Sequence, residues 1–184
     1  VVLASRPRGV PASGDFRVVE EPLAPLADGQ VRIDVSHLSI DAFIRTALEA
    51  SGFHGSVPIG GTVSALGVGR VRESRFAGLA PGDAVFAPVG AQSIATLPGA
   101  MAKRIDEKRA PATAHLGVLG LTTGLTAYMG VRKVGAVKRG ETFVVSAAAG
   151  AVGSIAGQIA RLDGARVIGI AGGAGKVRHL TQEL

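Results

Sequence analysis

The stretch "FVVSAAAGAVGSIAGQIARLDGARVIGIA", residues 143–171, restricts what this chain can fold into more than any other part of it. Phe143, Val144 and Val145 form a short apolar run of strand character, and an uncharged turn of small residues follows. Val152, Ile155, Ala156, Ile159 and Ala160 then recur at i, i+3, i+4, i+7 and i+8, which gives a helix one apolar stripe. "ARVIGIA" ends the stretch as a second strand. The order strand, helix, strand predicts two parallel strands joined by a right-handed crossover, the unit of an α/β layer.

The turn is as informative as the strands. A dinucleotide fingerprint needs small residues at three positions: for a tight turn, for close backbone approach to a pyrophosphate, and for packing of helix on strand. Here these are Ala148, Gly150 and Gly153, with alanine at the first. The free N–H groups of the following helix, with the positive end of its dipole, then face a bound phosphate. An NAD site carries an acid about 20 residues further on for the ribose hydroxyls. This chain has none between Arg166 and His179 in "RVIGIAGGAGKVRH". Lys176 stands just past the second strand instead, with Arg178 close behind, where a 2′-phosphate would lie. The pattern therefore predicts NADP. A turn that only packs and a lysine that is only solvated remain the alternatives at this level. A P-loop is excluded, because Ile170 and Val177 occupy the positions of its first Gly and its Ser or Thr.

The first hundred residues have a different texture. In "QVRIDVSHLSI", Val31, Ile33 and Val35 alternate with Arg32, Asp34 and Ser36, which predicts a strand with one wet face. Pro81, Gly82 and Asp83 precede "AVFAPV" as a turn feeds a strand. Gly60, Gly61, Gly67 and Gly69 lie among Thr62, Val63, Val68 and Val71, as where a small barrel bends sharply. Small residues dominate 114–131, which reads as helical.

Composition narrows the functions. With 47% hydrophobic and 18% charged residues the 184-residue chain is globular, with room for one domain or one and a fraction. Cysteine is absent, so the chain has no disulfide, no thiolate zinc site and no thiol nucleophile. Twelve Lys and Arg stand against five Asp and Glu from residue 103 onward, and eight against nine before it. Aromatics are only 4% and Trp is absent, which argues against nucleic acid and for a small polyanionic ligand or a solvated surface. The uncharged stretches 110–131 and 143–160 are rich in Gly, Ala and Thr and are expected in a soluble core rather than a membrane. No basic segment followed by an apolar one opens the chain, so a cytoplasmic protein is expected, and Val1 in place of Met suggests N-terminal trimming.

With these pieces placed, the chain resembles the zinc-independent medium-chain dehydrogenase/reductase superfamily. Within it, the likeness is to the leukotriene B4 12-hydroxydehydrogenase, prostaglandin reductase and curcumin reductase group. The likeness is carried by "LASRPRGVPASGDFRVVE", "LSIDAFIR", "GVGRVRESRFAGLAPGDAVFA", "GLTAYMG" and "KRGETFVVSAAAGAVGSIAGQIARLDGARVIGIAGGAGK", which together span nearly the whole chain. The resemblance implies a GroES-like β-barrel over residues 1–115, then over 116–184 the first part of a Rossmann domain, a doubly wound parallel sheet. It implies NADPH as cofactor and hydride delivery to the β-carbon of an α,β-unsaturated ketone or aldehyde. It places the backbone of Gly150, Ala151, Val152 and Gly153 on the pyrophosphate, Lys176 on the 2′-phosphate and Thr126 near the nicotinamide. Where the family commonly carries Asp-Pro-Tyr-Met-Arg, this chain has Asp41, Ala42, Phe43, Ile44 and Arg45. Phe43 and Arg45 are the substrate-side candidates, and Phe43 can pack but cannot donate a proton.

Zinc-dependent relatives use Cys and a Gly-His-Glu motif, but Gly60, Gly61 and Thr62 stand there, and His37, His54, His115 and His179 lack ligand spacing. No metal is expected. Tyr128, the sole tyrosine, is expected to pack rather than to donate a proton. No catalytic side chain is assigned, and the proton is expected from water or the cofactor ribose. A complete Rossmann domain has about six strands against the two foreseen, so the chain is expected to belong to a longer polypeptide, and a homodimer is expected of that full-length protein. The alternative is a reductase-derived module that binds nucleotide or a partner chain without turnover.

Overall fold

The computed structural model describes residues 1–52 and 55–184, so His54 lies outside the described residues. In chain order the elements are β1 (Val2–Leu3), β2 (Phe16–Arg17), β3 (Gln30–Leu38), α1 (Ala42–Ala47), β4 (Gly67–Ser74), β5 (Ala84–Ala87), β6 (Ile94–Pro98), β7 (Lys103–Arg104), α2 (Gly124–Tyr128), β8 (Thr142–Val145), α3 (Ala151–Leu162), β9 (Arg166–Gly169) and α4 (Ala174–Gln182). They fall into two compact units, Val1–Thr113 and Ala114–Leu184.

The first unit is a GroES-like β-barrel. Its five-stranded antiparallel sheet runs β6-β3-β4-β5-β7, and β1 pairs with β2 beside it. Val31, Ile33, Val71, Val85 and Val89 form the main core, and Leu3, Leu48, Val57 and Val63 a second one. The register of β3 on β4 shifts between Arg32 and Ile33 and again between Val35 and His37. These bulges bend the sheet and bring the backbones so close that a Cβ on Gly69 would stand 2.1 Å from the Asp34 carbonyl oxygen.

One expectation for β3 is corrected. Arg32, read as facing solvent, is only 6% exposed. Its guanidinium is covered by its own partners: Nη1 donates to Glu73 Oε1 at 2.7 Å, Nε to Thr96 Oγ1 at 3.3 Å, and Nη2 to the Ala24 carbonyl. A buried cation is tolerated when its donors are satisfied in this way.

In the second unit β8 and β9 pair in parallel, Thr142 opposite Arg166 through Val145 opposite Gly169. The foreseen stripe of α3 faces this sheet: Ala156 and Ala160 are buried, and Val152, Ile155 and Ile159 pack with Phe143, Val145 and Val167. Alternate residues point the other way, so Val144 is 55% exposed and its opposite number Ile168 is 42% exposed. The unit is a partial Rossmann layer with helices α3 and α4.

The helical reading of 114–131 holds only in part. A 3-10 turn covers Ala112–Leu116, and α2 begins at Gly124. The buried Thr123 hydroxyl donates to the Gly117 carbonyl, so a side chain takes a bond that a helix would need. After Tyr128 the helix widens into a π-helical segment, Met129–Val134. Among the described residues no helix is long and apolar enough to cross a membrane.

Candidate functional site

β8 ends at Val145, and the chain turns back through residues 146–150 into α3. The sharpest point of this turn is Ala147, at φ 49°, a left-handed conformation that favours glycine. Gly150 follows at φ −84° as the N-cap of α3, and no side chain caps the helix. Its N–H donates to the Ala147 carbonyl at 2.8 Å, and its own carbonyl accepts from Ser154 N–H at 2.9 Å. The next N–H groups, at Ala151, Val152 and Gly153, occupy the first turn, where a helix has no internal acceptor for them.

Gly153 is the residue that lets the helix sit this close. A Cβ there would lie 2.3 Å from the Ala147 carbonyl oxygen and 3.0 Å from Ala148 Cα. Ala148, which the sequence assigned to the tight turn, is instead buried, and its N–H extends the strand pairing by donating to Ile170 O at 3.0 Å. The turn position belongs to Ala147, one residue earlier. Nothing within a run of three alanines distinguished it, since left-handed backbone is ordinarily announced by glycine.

β9 ends opposite Val145, at Gly169, so α4 starts from the same end of the sheet as α3. Its N-cap is Gly173, at φ 82°, and Ala174, Gly175 and Lys176 make its first turn, which contains no acid. Lys176 is exposed, as is Arg178. The three acids of the unit are already engaged: Glu141 accepts from Lys138 N–H, Asp163 pairs with Arg132, and Glu183 Oε2 lies 2.9 Å from His179 Nδ1.

Thr126 is exposed on α2, beside the buried Ala127. Two residues on, Tyr128 lies under Arg132, whose guanidinium carbon is 5.2 Å from the ring centroid. Arg132 also grips Asp163 with two bonds, Nε to Oδ2 at 2.9 Å and Nη2 to Oδ1 at 2.7 Å. These hydrogen bonds raise the guanidinium's pKa above its ordinary value and hold the Asp163 carboxyl below its own. No local pattern marks this pair, whose members are 31 residues apart.

The substrate-side candidates sit in the first unit. Phe43 is half-buried on α1, and its carbonyl accepts from Thr46 Oγ1 at 2.8 Å. Arg45 bonds Glu49 Oε1 at 3.0 Å and the Gly9 carbonyl at 3.1 Å, tying α1 to the N-terminal segment. Among the described residues no cluster of His, Asp and Glu has the arrangement of a metal site. A groove of about 460 Å³ between α3, α4 and β9 is lined by Gly157, Val167, Val177 and Leu180. Ala148 and Gly153 of the turn also line it, whereas Gly150, Ala151, Val152 and Lys176 do not.

An antiparallel barrel followed by a βαβ layer with a glycine turn defines a two-unit α/β chain of dehydrogenase type, and comparison with known proteins agrees. Residues 1–105 match the family model described as the N-terminal domain of oxidoreductase. The NADPH-dependent curcumin reductase of Escherichia coli is 40% identical over 184 residues, all of this chain and 53% of that protein. Prostaglandin reductase 1 of Bos taurus is 37% identical over 175 residues, 94% of this chain and 51% of that protein. The crystal structure of CurA in complex with NADPH from Vibrio vulnificus superposes with a TM-score of 0.90 at 36% identity, over 99% of this chain and 54% of that one. The chain belongs to the zinc-independent medium-chain dehydrogenase/reductase superfamily, in the group of the curcumin and prostaglandin reductases. It spans about half the length of the curated relatives it matches.

Proposed function

We propose that the protein is an NADPH-dependent reductase of the carbon–carbon double bond of α,β-unsaturated ketones or aldehydes. The observation that carries the reading is the turn of small residues before α3, uncapped by any side chain and closed by the Ala147 carbonyl against Gly153. It leaves backbone N–H groups and the positive end of a helix dipole for an anion, with no side-chain cap competing for them. The backbone of Gly150, Ala151, Val152 and Gly153 would hold the pyrophosphate. Lys176 would hold the 2′-phosphate. A lysine in the first turn of a helix opposes the helix dipole, a local cost that a bound phosphate at the same place offsets. The acid-free first turn of α4 leaves nothing there to repel it.

When bound, NADPH would supply a hydride to one carbon of the double bond, and water or the cofactor ribose the proton to the other. The protein's own work is to bind and orient, which explains a site without an acid or base in evident position. Thr126 would meet the nicotinamide end, and Phe43 would pack on the substrate. The bonds of Arg45 to Glu49 and Gly9 fix the helix that carries Phe43. The cofactor in the CurA complex and the substrates in the relatives' names support the reading.

The test is oxidation of NADPH by the purified protein with methyl vinyl ketone, with the product identified by mass spectrometry. The saturated ketone is expected. An allylic alcohol, or no oxidation, would overturn the proposal.

A further inference from the structure

The residues between α2 and α3 are small and apolar. Ala127 of α2 and Val131 of the π-helical segment share one buried cluster with Ala156 and Ala160 of α3. Such small apolar faces hold two helices together without fixing how one is turned against the other, because apolar burial is not directional. The π-helical segment adds a freedom. Gly135 N–H reaches back five residues to the Gly130 carbonyl at 2.8 Å, so the turn carries one residue more than an α-helix would. Returning that residue to α-helical spacing would shift α2 by one position, a rotation of about 100° and a translation of about 1.5 Å. Thr126 would swing away with it.

One contact is directional enough to select the register. Arg132, within the π-helical segment, grips Asp163 with two bonds, at 2.9 and 2.7 Å. Asp163 is itself anchored as the C-cap of α3, with its N–H on the Ile159 carbonyl at 3.0 Å. Tyr128 supports the guanidinium from one turn earlier, two residues beyond Thr126. We infer that the Arg132–Asp163 pair, seated on Tyr128, is a positioning device that holds α2 in register on α3 and so holds Thr126 against the nicotinamide end of the cofactor. The inference rests on the function proposed above. It gives the sole tyrosine a task that is neither proton transfer nor mere packing.

The test follows amide hydrogen exchange and turnover in the purified protein and in its Asp163→Asn and Arg132→Gln variants. In the unsubstituted protein NADPH should slow exchange both at residues 147–153 and at residues 124–128. Each variant should keep the first protection and lose the second. In turnover with methyl vinyl ketone, each should lower kcat by about ten- to a hundredfold, as a misplacement on the order of 1 Å does. The KM for NADPH should stay within about twofold, since the pyrophosphate turn is intact. Arg132→Lys should recover part of kcat, and the reversed pair, Arg132→Asp with Asp163→Arg, should exceed either single variant. Protection by NADPH at 147–153 but not at 124–128 in the unsubstituted protein would overturn the positioning role alone. Unchanged kcat in both variants would do the same, whereas no protection anywhere would overturn the cofactor reading and this inference with it.

Discussion

The carbonyl oxygen of Ala147 stands 2.3 Å from the point where a Cβ on Gly153 would lie. That single approach explains why the helix after β8 can begin directly behind the turn, with its first N–H groups capped by no side chain. It also makes Gly153 the position where one methyl group is most informative. Gly153→Ala should weaken NADPH binding by about tenfold or more and destabilise the fold by about 1–3 kcal/mol, the usual cost of overpacking. Gly157→Ala, one turn on, meets nothing nearer than Val167 Cγ1 at 3.5 Å and should be neutral or stabilising by up to about 1 kcal/mol. Thermal unfolding and cofactor titration of the two variants check the contrast.

Much of this site is legible in the sequence, because it is made of local pattern. The strand run, the stripe from Val152 to Ala160 and the absence of acids after Arg166 each lie within a few turns of chain. What was not legible depends on partners distant in sequence. Arg32 is buried because Glu73 and Thr96, on neighbouring strands, complete its bonding. The left-handed turn falls on Ala147 rather than Ala148 because Ala148 N–H is taken by Ile170. Periodicity reports which face of an element is apolar. It says nothing of which side chain across the fold will meet a charge.

Arg32 should prove a structural residue. Arg32→Met removes bonds to Glu73, Thr96 and the Ala24 carbonyl, and should cost about 1–3 kcal/mol, on the order of what hydrogen bonds to a charged group contribute. Hydrogen exchange should rise around residues 22–27, which the guanidinium ties to the sheet. An unaltered unfolding midpoint would contradict the assignment.

Asp83 makes the barrel acid-sensitive. The Ala80 N–H, aided by the Arg104 guanidinium, holds its carboxyl below the ordinary value of 3.8. A depressed folded pKa contributes stability that is present above the unfolded value and is lost as pH falls through the folded one. The gap in urea midpoint between the unsubstituted protein and Asp83→Asn should therefore be full at neutral pH and close below about pH 4. A gap that stays constant down to pH 3 would show that the carboxylate's charge is not what matters.

Titrating the protein with NADPH and with NADH shows whether the turn before α3 and Lys176 together form an NADP site. Quenching or enhancement of the nicotinamide fluorescence gives both affinities. NADPH should bind tighter by about tenfold or more, the worth of one charge-assisted bond to the 2′-phosphate. Lys176→Ala should bring the two cofactors level while leaving NADH unchanged. Equal affinities in the unsubstituted protein, or no binding of either at millimolar concentration, would contradict the account.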